Sequence, residues 1–160
     1  MEINESKNYW AIEFVNADET KWLDILDYIL PMATHVEFNI LYSNQNLKDF
    51  LIDFNNSISR EEGNKNKMYY TGNVLRLELS KKVIDFLKHK KYSDFKNFFL
   101  EDPSFYINDK EVIASISHED QIYLNSMYVD LNHFNHFKLQ HKLFENKEIG
   151  LWEKIRNLFK

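Results

Sequence analysis

The chain has 160 residues, of which 44% are apolar and 16% aromatic, and its formal net charge is −5. Cysteine is absent, which excludes thiol nucleophiles, disulfides and cysteine-ligated zinc. The three glycines are far apart, which excludes glycine-rich phosphate-binding loops, and the acidic balance disfavours nucleic-acid binding.

The N-terminal sequence lacks the basic and apolar regions of a secretory signal. No apolar run approaches the roughly 20 residues that a membrane-spanning helix needs. We therefore expect a cytoplasmic protein that does not bind membranes, and we take its source to be bacterial.

The first third of the chain predicts strands and helices in alternation. Alternating apolar residues predict strands over 10–15 and 36–42. Apolar residues at helical spacing predict one helix between Asp18 and Pro31 and another over 47–58.

A polar segment follows, and it contains no apolar residue from Ser59 to Lys67. This composition predicts a flexible loop around 59–72, which is either a binding element or disordered. Neither side of the loop is long enough for a comfortable core of its own, so we expect a single domain over 1–160.

The remainder of the chain predicts further strands and helices. Ser80 is a candidate N-cap for the first helix of this region. Residues 131–145 fit either a helix or a strand. The other predicted elements are a strand over 74–79, helices over 80–87 and 95–99 (the second ending before Pro103), strands over 105–107, 112–117 and 121–125, and a helix over 151–159.

This order of elements predicts an α+β fold, with helices packed on one face of a mainly antiparallel or mixed sheet. A doubly wound parallel sheet is less favoured, because its strands would be continuously apolar rather than alternating.

Three histidines lie close together in the segment HFNHFKLQH over 133–141. A metal site needs three or four donors that converge on one point. A helix places His133 and His136 on one face, whereas a strand pairs His133 with His141, so neither gathers all three. We therefore predict no metal site and no cofactor.

The candidate acid and base groups are weak evidence for catalysis. His118, Glu119 and Asp120 lie at a predicted hairpin turn, where charged side chains are also expected for solvation alone. G-x-S-x-G, H-E-x-x-H and Walker A motifs are absent. We expect a protein that is not an enzyme.

Charge is unevenly distributed along the chain. Residues 13–53 hold eight acids and two lysines, a net of −6, and residues 101–130 hold seven acids and one lysine, again −6. Residues 81–96 hold six lysines and two acids, a net of +4. The two acidic blocks either share a surface that attracts a basic partner or are simply solvated.

We predict a non-enzymatic protein-binding domain, namely a stoichiometric neutraliser (an immunity-type protein) of a basic partner such as a toxin. Acidic turns over 101–120 would steer the partner, and tyrosines beside the predicted loop would anchor it. The predicted partner-binding residues are Asp102, Asp109, Glu111, Glu119, Asp120, Tyr69 and Tyr70.

Two alternatives remain open. One is a metal-dependent hydrolase that uses His118, Glu119, His133 and His136. The other is a structural subunit that buries its aromatic surface in an oligomer. The sequence leaves the partner and the oligomeric state undetermined.

Overall fold

The computed structural model describes residues 7–13, 19–41, 44–60 and 73–144. These residues form three α-helices and eight strands. The helices are α1 (Glu19–Ile29), α2 (Gln45–Asp53) and α3 (Lys81–His89). The strands are β1 (Lys7–Glu13), β2 (His35–Ile40), β3 (Ile58–Arg60), β4 (Val74–Glu78), β5 (Leu100–Ile107), β6 (Lys110–Ile116), β7 (Gln121–Asn125) and β8 (Leu139–Phe144).

All eight strands join one sheet in the order β3-β4-β2-β5-β6-β7-β1-β8, and every pairing is antiparallel. The meander β5-β6-β7 lies at the centre. Two strands from the first third of the chain flank it, since β2 pairs with β5 and β1 pairs with β7. The sheet therefore depends on pairings between segments that are distant in sequence.

The helices pack on one face of this sheet, which confirms the predicted α+β architecture. Alternation along each strand sends every second side chain to that face. The helices contribute Trp22, Ile25, Leu26, Ile29, Leu47, Phe50, Val83 and Leu87 to the core, and the sheet contributes Ile12, Val36, Phe38, Leu75, Leu77, Phe105, Ile113 and Leu124.

Aromatic rings fill the centre of the core. Trp22 of α1 lies with its ring centroid 5.4 Å from that of Tyr92 and 5.8 Å from that of Phe95. Phe95 also stacks on Phe38 of β2 at 5.9 Å. Such ring pairs add about 0.5–1.5 kcal/mol each beyond the area that they bury. These contacts join α1, the 92–95 turn and β2.

Side-chain caps define where two of the helices begin. Asn44 Oδ1 accepts a hydrogen bond from the Leu47 N–H at 2.9 Å at the start of α2. Ser80 Oγ accepts one from the Val83 N–H at 3.4 Å at the start of α3, so Ser80 is the N-cap that the sequence predicts.

The predicted helix over 95–99 is wrong. Tyr92–Phe95 form a short 3₁₀ turn, and β5 begins at Leu100 and continues through Pro103. A strand accommodates proline where pairing is irregular, and the pairing of β5 with β2 shifts register between Glu37 and Asn39.

Two other segments differ from their predicted structure. The helix predicted over 47–58 ends at Asp53, and Ile58 begins β3, which includes Ser59 and Arg60. Residues 131–145 contain a 3₁₀ turn over Leu131–Phe134 and then β8. The predictions for residues 14–15, 61–72 and 151–159 lie outside the described residues.

Among the helices that the structure describes, none has the length and apolar character needed to cross a membrane.

Truncating the buried ring of Phe95 is expected to destabilise the fold strongly. Phe95 is fully buried, so Phe95→Ala should lower the free energy of unfolding by about 3–5 kcal/mol. The matched control is Phe98→Ala, because Phe98 is only partly buried, and its loss should be roughly 1–2 kcal/mol. Urea denaturation measures both, and equal losses would contradict the assigned core.

Candidate functional site

The predicted acidic partner-binding residues separate into two groups at opposite ends of β6. Asp109 and Glu111 lie at its start, whereas Glu119 and Asp120 follow its end. A seven-residue strand is roughly 23 Å long. The two groups therefore belong to two different surfaces of the molecule.

At the first end, the two acids accept hydrogen bonds from Arg76 and Tyr106. The Asp109 side chain is largely exposed, and its Oδ1 accepts a hydrogen bond from Arg76 Nη1 at 3.1 Å. Glu111 Oε2 accepts one from the Tyr106 hydroxyl at 2.8 Å. Both carboxylates are therefore already engaged within the chain.

Arg76 and Tyr106 belong to a buried ion-pair cluster (Glu37, Arg76, Tyr106 and Glu111) on the sheet face opposite the helices. Arg76 Nε donates to Glu37 Oε2 at 2.9 Å, and the guanidinium carbon lies 4.2 Å from the centre of the Tyr106 ring. The Glu37 side chain is 0% exposed. The period-two pattern predicts that Glu37 faces away from the helices, but it does not predict this burial.

Burial raises the pKa of the Tyr106 hydroxyl well above its usual range, and the charges of Glu111 and Glu37 raise it further. Arg76 opposes this shift without cancelling it. Tyr106 therefore stays neutral throughout the physiological pH range and donates a hydrogen bond to a carboxylate. These contacts give the cluster a structural role.

Near the second end of β6 lies Asp102 of β5, which is buried and has φ of 52°. Its Oδ1 accepts a hydrogen bond from the Ser117 N–H at 2.7 Å, and its Oδ2 accepts one from Asn39 Nδ2 at 2.9 Å. Its own N–H donates to Ser117 Oγ at 3.2 Å. Asp102 therefore connects β5 to β2 and to the 3₁₀ turn Ser117–Glu119.

This connection brings Glu101, Asp102 and His118 together, with one ligand atom from each within 4.8 Å of the others. Glu101 Oε1 accepts a hydrogen bond from the Asn97 N–H at 3.0 Å. Burial raises the pKa of Glu101, and the charge of Asp102 contributes in the same direction. Two carboxylates and an imidazole in this arrangement can hold a divalent cation or share a proton.

Glu119 and Asp120 complete the acidic residues of this end. We call Glu101, Asp102, Glu119 and Asp120 the carboxylate end of the sheet. Asp120 Oδ1 forms an ion pair with Lys96 Nζ at 2.5 Å, and Glu119 Oε1 lies 3.9 Å from His118 Nε2. Asp120 has φ of 54°, a left-handed conformation that aspartate tolerates better than most residues.

Sequence reasoning missed Asn39 and Glu101 as members of this site. Asn39 pairs directly with Glu101 across β2 and β5, and these residues are far apart in the chain. No sequence pattern links them, because their proximity depends on which strands pair. The irregular register at this point also cannot be read from hydrophobic alternation.

The first acidic block meets the basic block on the helical layer. Lys82 pairs with Asp53 at 3.4 Å, Lys88 with Asp27 at 2.8 Å and Lys91 with Glu19 at 2.8 Å. The Glu19 carboxylate raises the pKa of Lys91. Solvent screens these exposed pairs, so each adds little to stability, but together they partly neutralise this acidic block.

The structure separates the three histidines of the hydrolase alternative into two groups. His133 Nε2 and His136 Nε2 lie 3.7 Å and 2.7 Å from the carboxylate of Asp24 on α1. Among the described residues, the three-ligand group that could hold a metal ion contains His118 with Glu101 and Asp102. His133 and His136, which the hydrolase alternative combines with His118, are not part of that group.

Three other residues of interest lie partly or wholly outside the described structure. His141 belongs to β8 and pairs with Trp10 of β1, but its side chain is not among the described ones. Tyr69 and Tyr70 lie outside the described residues.

Replacing Arg76 is expected to destabilise the fold, because the buried Glu37 carboxylate then lacks its ion-pair partner. Arg76→Met should lower the free energy of unfolding by about 3–5 kcal/mol, because a buried carboxylate loses its guanidinium. Lys81→Met, which removes a surface pair with Asp85, should cost no more than about 1 kcal/mol. Chemical denaturation of both variants tests this, and similar small losses would refute a structural role for the cluster.

The raised pKa of Glu101 predicts a specific pH dependence of stability. The folded chain holds this proton more tightly than the unfolded chain, whose carboxyl titrates near 4.5. Stability should therefore fall as pH rises through the range just above that value. Glu101→Gln removes this contribution but keeps the oxygen that accepts from Asn97. Unfolding free energies measured between about pH 4 and 7 should fall less in the variant, and identical pH profiles would contradict the assignment.

Comparisons with known proteins find one partial similarity. The chain is 27% identical over 142 residues to the DNA-directed RNA polymerase subunit beta'' of Oedogonium cardiacum. The matched region covers 89% of this chain but only 5% of the polymerase subunit. No protein-family model matches the chain, and no solved structure matches it.

Proposed function

We propose that this chain is a non-enzymatic, cytoplasmic protein-binding domain that neutralises a basic partner stoichiometrically, as an immunity-type protein neutralises a toxin. The observation that carries the proposal is the carboxylate end. Strand pairing gathers Glu101, Asp102, Glu119 and Asp120 at one end of the sheet, where Lys96 forms an ion pair with Asp120.

The charge of this end favours a basic partner. Counting only these residues, four carboxylates and one lysine give a net of −3 with His118 neutral. A local concentration of one sign of charge accelerates association with a surface of the opposite sign. The acids of the first block are less suited to this role, because three of them pair with lysines of the helical layer.

The residues of the carboxylate end have different parts in this proposal. Glu119 retains 36% side-chain exposure and is available to contact a partner. Asp120 forms an ion pair with Lys96 and adds to the negative electrostatic potential of this end. Asp102 is 6% exposed, so it acts by positioning the 117–119 turn rather than by touching the partner.

The test compares two charge reversals on exposed acids. Glu119→Lys changes the carboxylate end, whereas Asp49→Lys makes the same change of charge on the exposed side of α2. Tagged wild type and both variants are used to capture partners from the native host, and the retained proteins are identified by mass spectrometry. Association and dissociation rates with the captured partner are then measured at low and high salt.

We expect wild type and Asp49→Lys to retain the same basic protein near a one-to-one ratio. Glu119→Lys should slow association about tenfold at low salt, with a smaller effect at high salt, since added salt screens the attraction. Dissociation should change less than association. Equal association rates for Glu119→Lys and wild type would refute this surface, and a partner without a basic surface would refute the proposed chemistry.

A further inference from the structure

Asp102 is a buried carboxylate whose partners in the described structure are neutral. Its two oxygens accept hydrogen bonds from the Ser117 N–H and the Asn39 side-chain amide. Among the described residues, no lysine or arginine forms an ion pair with Asp102 or with Glu101 beside it. Burying the Asp102 carboxylate beside the partly buried Glu101 without an ion-paired cation is costly, and a bound cation would offset that cost.

Asn39 provides an independent indication of a missing ligand at the same place. Its side chain is 97% buried (3% exposed), and its Oδ1 has no hydrogen-bond partner within the described part of the chain. The amide orientation is determined by Asp102, since a carboxylate oxygen only accepts and must face Nδ2. Oδ1 is bonded to the same carbon as Nδ2, so it lies within about 5 Å of the Asp102 carboxylate. A buried amide oxygen in this position lacks a donor or a cation.

The surrounding side chains differ in exposure and hydrogen bonding in a way that suits ion binding. Asp102 is fixed by its hydrogen bonds, which are of the kind that orient a metal-ligating carboxylate. His118 is 64% exposed, and its Nε2 lies 3.9 Å from Glu119 Oε1. The ligand atoms of Glu101, Asp102 and His118 lie within 4.8 Å of one another, whereas tetrahedral bonds of about 2.1 Å place ligand atoms about 3.4 Å apart. A rotation of the exposed imidazole can supply that approach.

We propose that Glu101, Asp102 and His118 bind one divalent first-row transition-metal ion of the Zn²⁺ type, with the Asn39 amide oxygen accepting from a metal-bound water or completing the coordination. An imidazole nitrogen with carboxylate oxygens favours such an ion over Ca²⁺ or Mg²⁺, which prefer all-oxygen sites. This proposal differs from the expectation from sequence that the chain holds no metal. It shares Glu101 and Asp102 with the carboxylate end, but its test is separate from that of the proposed function because it is measured on the chain alone.

The competing location is the cluster of Asp24, His133 and His136. Its two imidazoles also lie beside a carboxylate, but Asp24 is partly exposed and already accepts from His136 at 2.7 Å. The described structure leaves no buried polar atom of this cluster without a partner. This cluster therefore supplies a matched control for the test rather than a second proposal.

The experiment titrates ZnCl₂ into the purified, chelator-treated full chain by calorimetry, with thermal unfolding followed in parallel. His118→Ala and Glu101→Gln remove a ligand, and His136→Ala removes an exposed histidine of the competing cluster. The unfolding temperature of each variant without metal serves as the folding control. Because His118 is largely exposed, its replacement should leave that temperature unchanged.

We expect one equivalent of Zn²⁺ to bind to wild type and to His136→Ala and to raise their unfolding temperatures. His118→Ala and Glu101→Gln should weaken binding at least about tenfold and lose the thermal shift. MgCl₂ should give no shift with any variant. The proposal is overturned by wild type that does not bind Zn²⁺, by His118→Ala that binds as tightly as wild type, or by loss of binding in His136→Ala alone.

Discussion

The carboxylate of Asp102 is the interaction on which the candidate site depends. It accepts hydrogen bonds from Asn39 on β2 and from Ser117 after β6, while its own backbone belongs to β5. One side chain thereby connects three segments that hydrophobic packing alone brings only approximately together. Because both carboxylate oxygens are used, the bonds restrain rotation of the group as well as its position. The location of His118 and Glu119 follows from where Ser117 is held.

A second buried carboxylate, Glu37, has the corresponding role at the other end of β2. Arg76 of β4 and Tyr106 of β5 both contact it, so one side chain joins the strands on either side of β2. Polar contacts on this face thus specify which strands are neighbours, while the apolar face that packs against the helices supplies most of the stabilisation. Buried polar groups tolerate few alternative pairings, because a shifted register would leave them without partners.

Much of the fold could be predicted from the sequence, since alternation in β2, β4 and β6 and the helical spacing in α1 and α3 are local signals. The α+β class follows from their order. The failures lie where the structure depends on strands that are distant in sequence. In the sequence, Pro103 indicates the end of a helix. The structure instead places it within β5, because a register shift in the pairing with β2 accommodates the proline. The candidate site was harder to predict from the sequence. His118 and Asp102 could be identified as candidate residues, but Asn39 and Glu101 join them only through the pairing of β2 with β5.

Four residues adopt left-handed backbone conformations in the described structure, and all are asparagine or aspartate: Asn97, Asp102, Asn108 and Asp120. Backbone geometry and charge are thus combined in the same two aspartates. The conformation and the charge can nevertheless be changed separately, because asparagine adopts the left-handed conformation as readily as aspartate does. A single substitution of Asp120 by asparagine would remove charge from the carboxylate end without disturbing the turn that carries it. Evolution can therefore adjust the acidity of this end in small steps while the architecture beneath it stays the same.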